Sequence, residues 1–188
     1  MAITQALGLC RAAVFAFVPL LGMAGSQFAR AQNASSPDIS YLDGLQGKWI
    51  MTGAVLGKPV RYHARGDRVL QGGFLRLHML DSETPPEYEA DVFLGYDPKG
   101  GDYVVHWLDW FGAAGARVVA TGKRDGPRLV IKFPYVEGAF RDTFTFDEES
   151  GTWSLLLESQ GQGGAWSTFA SYTLARPSID EAPPSERP

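Results

Sequence analysis

The chain reads as an all-β protein: a closed antiparallel up-and-down barrel of about ten strands, with a short helical turn at its N-terminal end. Three observations carry that expectation. From Lys48 to Arg176 no window repeats its apolar residues every 3.6 positions, whereas short alternating segments recur throughout. These segments are separated by tight-turn chemistry, as at Leu56-Gly57-Lys58-Pro59, Asp97 to Gly101 and Arg124-Asp125-Gly126-Pro127. Ten strands joined in this way pair with their sequence neighbours, and only closure removes the two raw edges of such a meander. A two-sheet sandwich is the alternative that the same spacing would serve.

The first 31 residues are set apart from that pattern. Arg11 precedes an apolar run from Ala12 to Ala24, and Ala29-Arg30-Ala31 follows at the distance of a small-x-small cleavage site. The run is too short to span a bilayer and is interrupted by Pro19 and Gly22, so residues 1–31 read as a secretory signal peptide. Cleavage removes Cys10, the single cysteine of the 188 residues, and two of the 17 basic residues but none of the 21 acidic ones. The exported chain, periplasmic or secreted, is therefore expected to be acidic and free of thiols. That excludes disulfides, thiolate metal sites and a cysteine nucleophile. Acidity without a Lys/Arg cluster argues against nucleic acid and anionic membrane surfaces, and no stable membrane insertion is expected after cleavage.

Residues 32–40 are polar and read as a flexible tether. Asp38 is suited to cap one helical turn through Leu42, ending at Gly44. The barrel follows over residues 41–176, with strands expected at 49–55, 60–65, 69–80, 87–95, 102–108, 117–123, 129–133, 140–146, 152–159 and 166–174. Arg65-Gly66-Asp67 is read as a turn, and Gly72-Gly73 as a kink inside the longest strand, where a barrel corner would need glycine. Residues 177–188, rich in proline and alternating charge, read as a disordered tail. Gly161-Gln162-Gly163-Gly164 has neither a following helix nor a lysine, so it is a turn and not a phosphate loop.

Gly47-Lys48-Trp49 opens the first strand just after the helical turn, and Arg176 closes the last after Tyr172-Thr173-Leu174-Ala175. This pairing resembles the calycin group of lipocalins and fatty-acid-binding proteins. The resemblance implies that Trp49 plugs one end of the barrel and that Arg176 packs across it. The spacing of Gly72-Gly73-Phe74, Gly95-Tyr96-Asp97, Trp107-Leu108-Asp109, Gly112, Gly122, Asp125-Gly126, Arg141 and the closing Tyr172 to Arg176 is similar to the bacterial domain-of-unknown-function 1579 family. That resemblance implies a small lipocalin-like barrel and brings no reaction with it. Haem barrels of the nitrobindin type also open on a glycine-x-tryptophan strand. Their iron-binding histidine lies near the C-terminus, whereas no histidine follows His106 here, so haem would need another ligand and no cofactor is expected.

The polar candidates are few. His63, His78 and His106 lie on different strands without metal-ligand spacing, and no metal site is assigned. Around Asp97 to Gly112, a strand alternates Tyr103, Val105 and Trp107 against Val104, His106 and Leu108. His106 and Asp109, three apart, fall on opposite faces of a regular pleat. Asp109 is read as a turn cap and His106 as the better functional candidate. Arg141 alternates with Thr143 and Thr145 against an apolar parity of Phe140, Phe144 and Phe146. It would clamp an anion if its face were interior, and pair with a neighbouring strand if that face met solvent.

No nucleophile elbow, Ser-His-Asp pattern or paired-carboxylate motif is present, so no catalytic residue is assigned. The expected function is binding of a small, partly apolar ligand in the barrel cavity, with His106, Trp107, Arg141, Tyr62 and Tyr172 as contacts. Gly47, Trp49, Arg176 and Asp109 form the structural signature. A small acid-base enzyme and a packed structural barrel of the envelope are the alternatives.

Overall fold

The computed structural model describes residues 37–178. The leader at 1–31, most of the expected tether and residues 179–188 of the tail lie outside the described residues. Helix α1 (Pro37–Tyr41) runs into a 3-10 turn at Leu42–Leu45, so helical structure begins within the segment assigned to the tether. Ten strands follow: β1 (Gly47–Val55), β2 (Lys58–Val69), β3 (Phe74–Asp81), β4 (Glu89–Asp97), β5 (Asp102–Asp109), β6 (Val119–Asp125), β7 (Arg128–Phe133), β8 (Phe140–Asp147), β9 (Thr152–Gln160) and β10 (Trp166–Ala175). Every strand pairs antiparallel with its neighbours in sequence, and β1 pairs with β10 to close the barrel, with Gly53 opposite Tyr172. Closure leaves the sheet without an edge strand.

The alternation sorts cleanly by face. Leu75, Leu77 and Met79 of β3, Ala90, Val92 and Leu94 of β4, and Leu129, Ile131 and Phe133 of β7 point inward and are buried. Arg61, His63 and Arg65 of β2 are exposed outside, and across the β3/β4 ladder His78 Nδ1 lies 3.1 Å from Asp91 Oδ1. A lipid-facing barrel carries its apolar band outside; here it is inside. No described helix is long and apolar enough to cross a membrane.

The helical segment closes one end. Leu42 and Leu45 are fully buried in the core, and Trp49 Nε1 donates to the Leu45 carbonyl at 2.8 Å. Trp153 Nε1 donates to the Gly44 carbonyl at 3.1 Å, and the Tyr41 ring meets Trp153 edge-on at 5.1 Å between centroids. The Arg176 guanidinium lies 3.5 Å from the centre of the Trp49 ring and donates to the Gln46 and Lys48 carbonyls. Gly47 has φ +95, and a Cβ there would sit 2.6 Å from Arg176 Nη1. The positive φ is what calls for glycine here, and a Cβ would also press on the end of the stacked arginine.

Two local expectations are corrected. Arg65-Gly66-Asp67 is not a turn: β2 continues through it to Val69, and Arg65 pairs with Asp67 along the strand at 2.9 Å. Gly66 is a point of close approach, where any Cβ would collide with the Leu45 carbonyl of the plug. The reversal occurs instead at Leu70–Gly72, where Leu70, Gln71 and Gly72 all have positive φ. Gly72 and Gly73 therefore sit in the connection between β2 and β3 and do not kink a strand interior.

Candidate functional site

Opposite the plug, the barrel opens into a cavity of about 610 Å³. Its walls come from the ends of strands that are far apart in sequence. Trp107 and Asp109 reach in from β5, Tyr62 from β2, Tyr172 from β10 and Asp142 from β8, while Tyr88 and Tyr135 enter from the loops beside them. The aromatic rings touch in series. Tyr172, Tyr62 and Tyr88 are spaced at 5.9 and 5.6 Å, and Tyr88 lies 6.3 Å from Phe111. On the other side Trp107, Phe133, Tyr135, Phe140 and Phe169 follow one another at 5.3–6.4 Å. A β-bulge between Thr168 and Ala170 gives β10 one residue more than its partner, and Phe169, at that position, lines the cavity.

Polar groups are threaded through this belt. Trp107 Nε1 donates to the Tyr88 hydroxyl at 3.1 Å, and Tyr88 is in turn hydrogen-bonded to the Asp109 carboxylate. The hydroxyls of Tyr62 and Tyr172 bond to each other. Burial raises the pKa of all three of these tyrosines, so each remains a neutral hydroxyl at ordinary pH. Asp109 also accepts the Phe111 N–H at 3.1 Å, while its carbonyl accepts from Gly112 at 2.9 Å. It is thus both a turn cap and part of the cavity wall. Burial raises its pKa, against the lowering effect of the Phe111 and Tyr88 bonds.

Asp142 stands apart. Its side chain is inside the barrel and only 3% exposed, and Oδ1 has no hydrogen-bond partner. Desolvation alone pushes its carboxyl up to about 8, so it is largely protonated at neutral pH. Asp142 is not among the residues expected from sequence to contact a ligand. The available signal was its parity: Asp142 shares a face with Phe140, Phe144 and Phe146, where a charge has no place unless it is used.

Of the residues expected to contact a ligand, the structure brings Tyr62, Trp107 and Tyr172 together on the cavity wall. His106 and Arg141 do not join them. Burial of Val105 and entry of Trp107 into the cavity fix the inward parity of β5, so His106 faces outward, where its Nε2 lies 2.7 Å from the Ala116 carbonyl. Arg141 likewise faces outward, pairing with Glu158 of β9 at 2.7 Å and lying over the Trp166 ring at 4.5 Å. The interior parity of β8 is the phenylalanine one, which removes the anion clamp. The described residues contain no cluster of His, Cys, Asp and Glu suited to a metal. No protein-family model matches the chain, and no curated protein matches it significantly.

Proposed function

We propose that the protein is an exported binding barrel, lipocalin-like and similar to the domain-of-unknown-function 1579 family, that holds a small, partly apolar ligand in its open end. The observation that carries this reading is the cavity of about 610 Å³ walled by aromatic side chains. It falls in the range of small-molecule sites, which combine apolar walls with a few placed polar groups. A packed structural barrel would fill that volume with side chains, as this one does at its plugged end. The apolar leader at residues 1–31 supports export, and the exported chain is expected to begin at Gln32 on N-terminal sequencing.

The test uses N-phenyl-1-naphthylamine, an apolar dye uncharged near neutral pH that brightens on leaving water. Saturable one-to-one binding is expected. Trp107→Ala, which removes a cavity wall and the hydrogen bond to Tyr88, should weaken it at least tenfold by the usual scale of a buried aromatic contact. His106→Ala, on the outer face, should leave dye affinity unchanged. A folded protein that takes up no dye, or one whose uptake depends on His106 and not on Trp107, refutes the reading.

A further inference from the structure

The chemistry of the cavity wall narrows the ligand class, given the binding reading above. Among the described residues lining the cavity, Lys58 at the exposed rim is the one basic side chain, against Asp81, Glu87, Asp109 and Asp142. Two of these acids are occupied. Asp81 accepts the backbone N–H groups of Glu83 and Glu87 in its own loop, and Asp109 is held by Phe111 and Tyr88. Asp142 is not: its Oδ1 is buried in the wall without a donor. We propose that the cavity selects an organic cation, a protonated amine on an apolar or aromatic body, with its ammonium group against the Asp142 carboxylate.

An ammonium beside the carboxyl stabilises its ionised form, which burial without a hydrogen-bond donor otherwise disfavours. The cavity is lined by aromatic side chains, a residue type that attracts cations through its ring faces, and more strongly where water is excluded. A carboxylate ligand would meet the opposite field: the arginine expected to clamp it, Arg141, lies outside in its pair with Glu158. A fatty acid is therefore disfavoured despite the shape of the barrel.

The pairing also predicts how binding responds to pH. Asp142 holds its proton to about pH 8 in the free protein, and that proton must leave to solvent when the ammonium docks. The groups facing it are the Tyr135 and Tyr172 hydroxyls, with Asp109 across the cavity. The hydroxyls stay neutral over this range, and no histidine lines the space. Amine affinity should then rise about 50-fold from pH 6 to pH 8, following the ionised fraction of a carboxyl titrating near 8. A neutral acceptor hydrogen-bonded to the protonated acid would show the reverse.

The experiment is competition against the dye at pH 6, 7 and 8 with three probes sharing one body: 4-phenylbutylamine, 4-phenylbutanol and 4-phenylbutyrate. The amine should bind at least tenfold tighter than the alcohol at pH 8 and gain about 50-fold between pH 6 and 8, with the carboxylate weakest. In Asp142→Asn, of nearly the same size, both the amine preference and the pH gain should vanish while the dye still binds. The comparison among probes on the unaltered protein stands whether or not the variant folds. Alcohol or carboxylate binding as tightly as the amine, a flat pH profile, or a preference that survives Asp142→Asn overturns the inference. Dye uptake with no displacement by amine overturns it while leaving the binding reading in place; absence of dye uptake removes both.

Discussion

Trp49→Ala is expected to lower the free energy of unfolding by about 3–5 kcal/mol, the range for truncating a large buried aromatic. Trp49 is 2% exposed and joins three parts of the closed end. Its indole N–H is bonded to the Leu45 carbonyl, it shares the buried core with Leu42 and Leu45, and its ring carries Arg176. Alanine would leave a void against the helical plug, an unpaired Leu45 carbonyl and an arginine with no ring to lie on. Trp49→Phe keeps most of the ring and loses chiefly the hydrogen bond, so it should cost about 1–2 kcal/mol. Urea titrations of both variants measure this directly. A cost for alanine below about 1 kcal/mol would mean that the helical segment does not plug the barrel. Dye affinity should be nearly unchanged, because the cavity lies at the other end.

Asp142 should make the protein less stable as pH rises, the opposite of what most carboxylates do. In the unfolded chain its carboxyl titrates near 3.9, whereas burial holds it up to about 8 in the native barrel. Between those values the native state keeps a proton that the unfolded state has released. Stability from this group is therefore full below about pH 4 and falls until the native carboxyl ionises near 8. Between pH 5 and pH 7 the loss amounts to about 2–3 kcal/mol. Asp142→Asn removes the titration, so the difference in stability between variant and parent should grow by that amount over the same interval. Urea midpoints at pH 5, 6 and 7 give the difference, in which other titrating groups largely cancel. A constant difference would show that water reaches the carboxylate and that it is charged at neutral pH. A carboxyl held at such a cost to stability is what the proposed binding function would account for, since function and stability often trade against each other.

The two effects differ in how far a sequence reader can see them. Trp49 and Arg176 were legible through a resemblance: Gly47-Lys48-Trp49 at the opening of the first strand and Arg176 after the last match the calycin pattern, and the arginine does lie on the tryptophan ring. Strand number, order and direction were legible for a different reason. Alternation of period two and short turns are local properties, and a strand with a tight turn at each end has its sequence neighbours as its nearest partners. Boundaries were less secure where glycine had two possible meanings. Gly66 resembled a turn residue and proved to be a strand residue pressed against the Leu45 carbonyl.

The candidate site was only partly legible. Tyr62, Trp107 and Tyr172 could be named as aromatics on strands, but their meeting depends on the stagger and closure of the whole barrel, which brings β2, β5 and β10 to one mouth. His106 and Arg141 were misplaced because alternation separates two faces without saying which one the closed sheet turns inward. The bulge before Ala170, where Phe169 joins the cavity, leaves no mark in the local pattern. Sequence alone therefore determined the number of strands and their antiparallel order, which rest on local periodicity and turn chemistry, while the Trp49–Arg176 closure came from the resemblance of the strand ends to the calycin pattern. The tertiary structure decided the cavity, its acidic wall and the state of Asp142, because the protonation of a carboxyl is set by the water and partners around it, and those are supplied by strands distant in the chain.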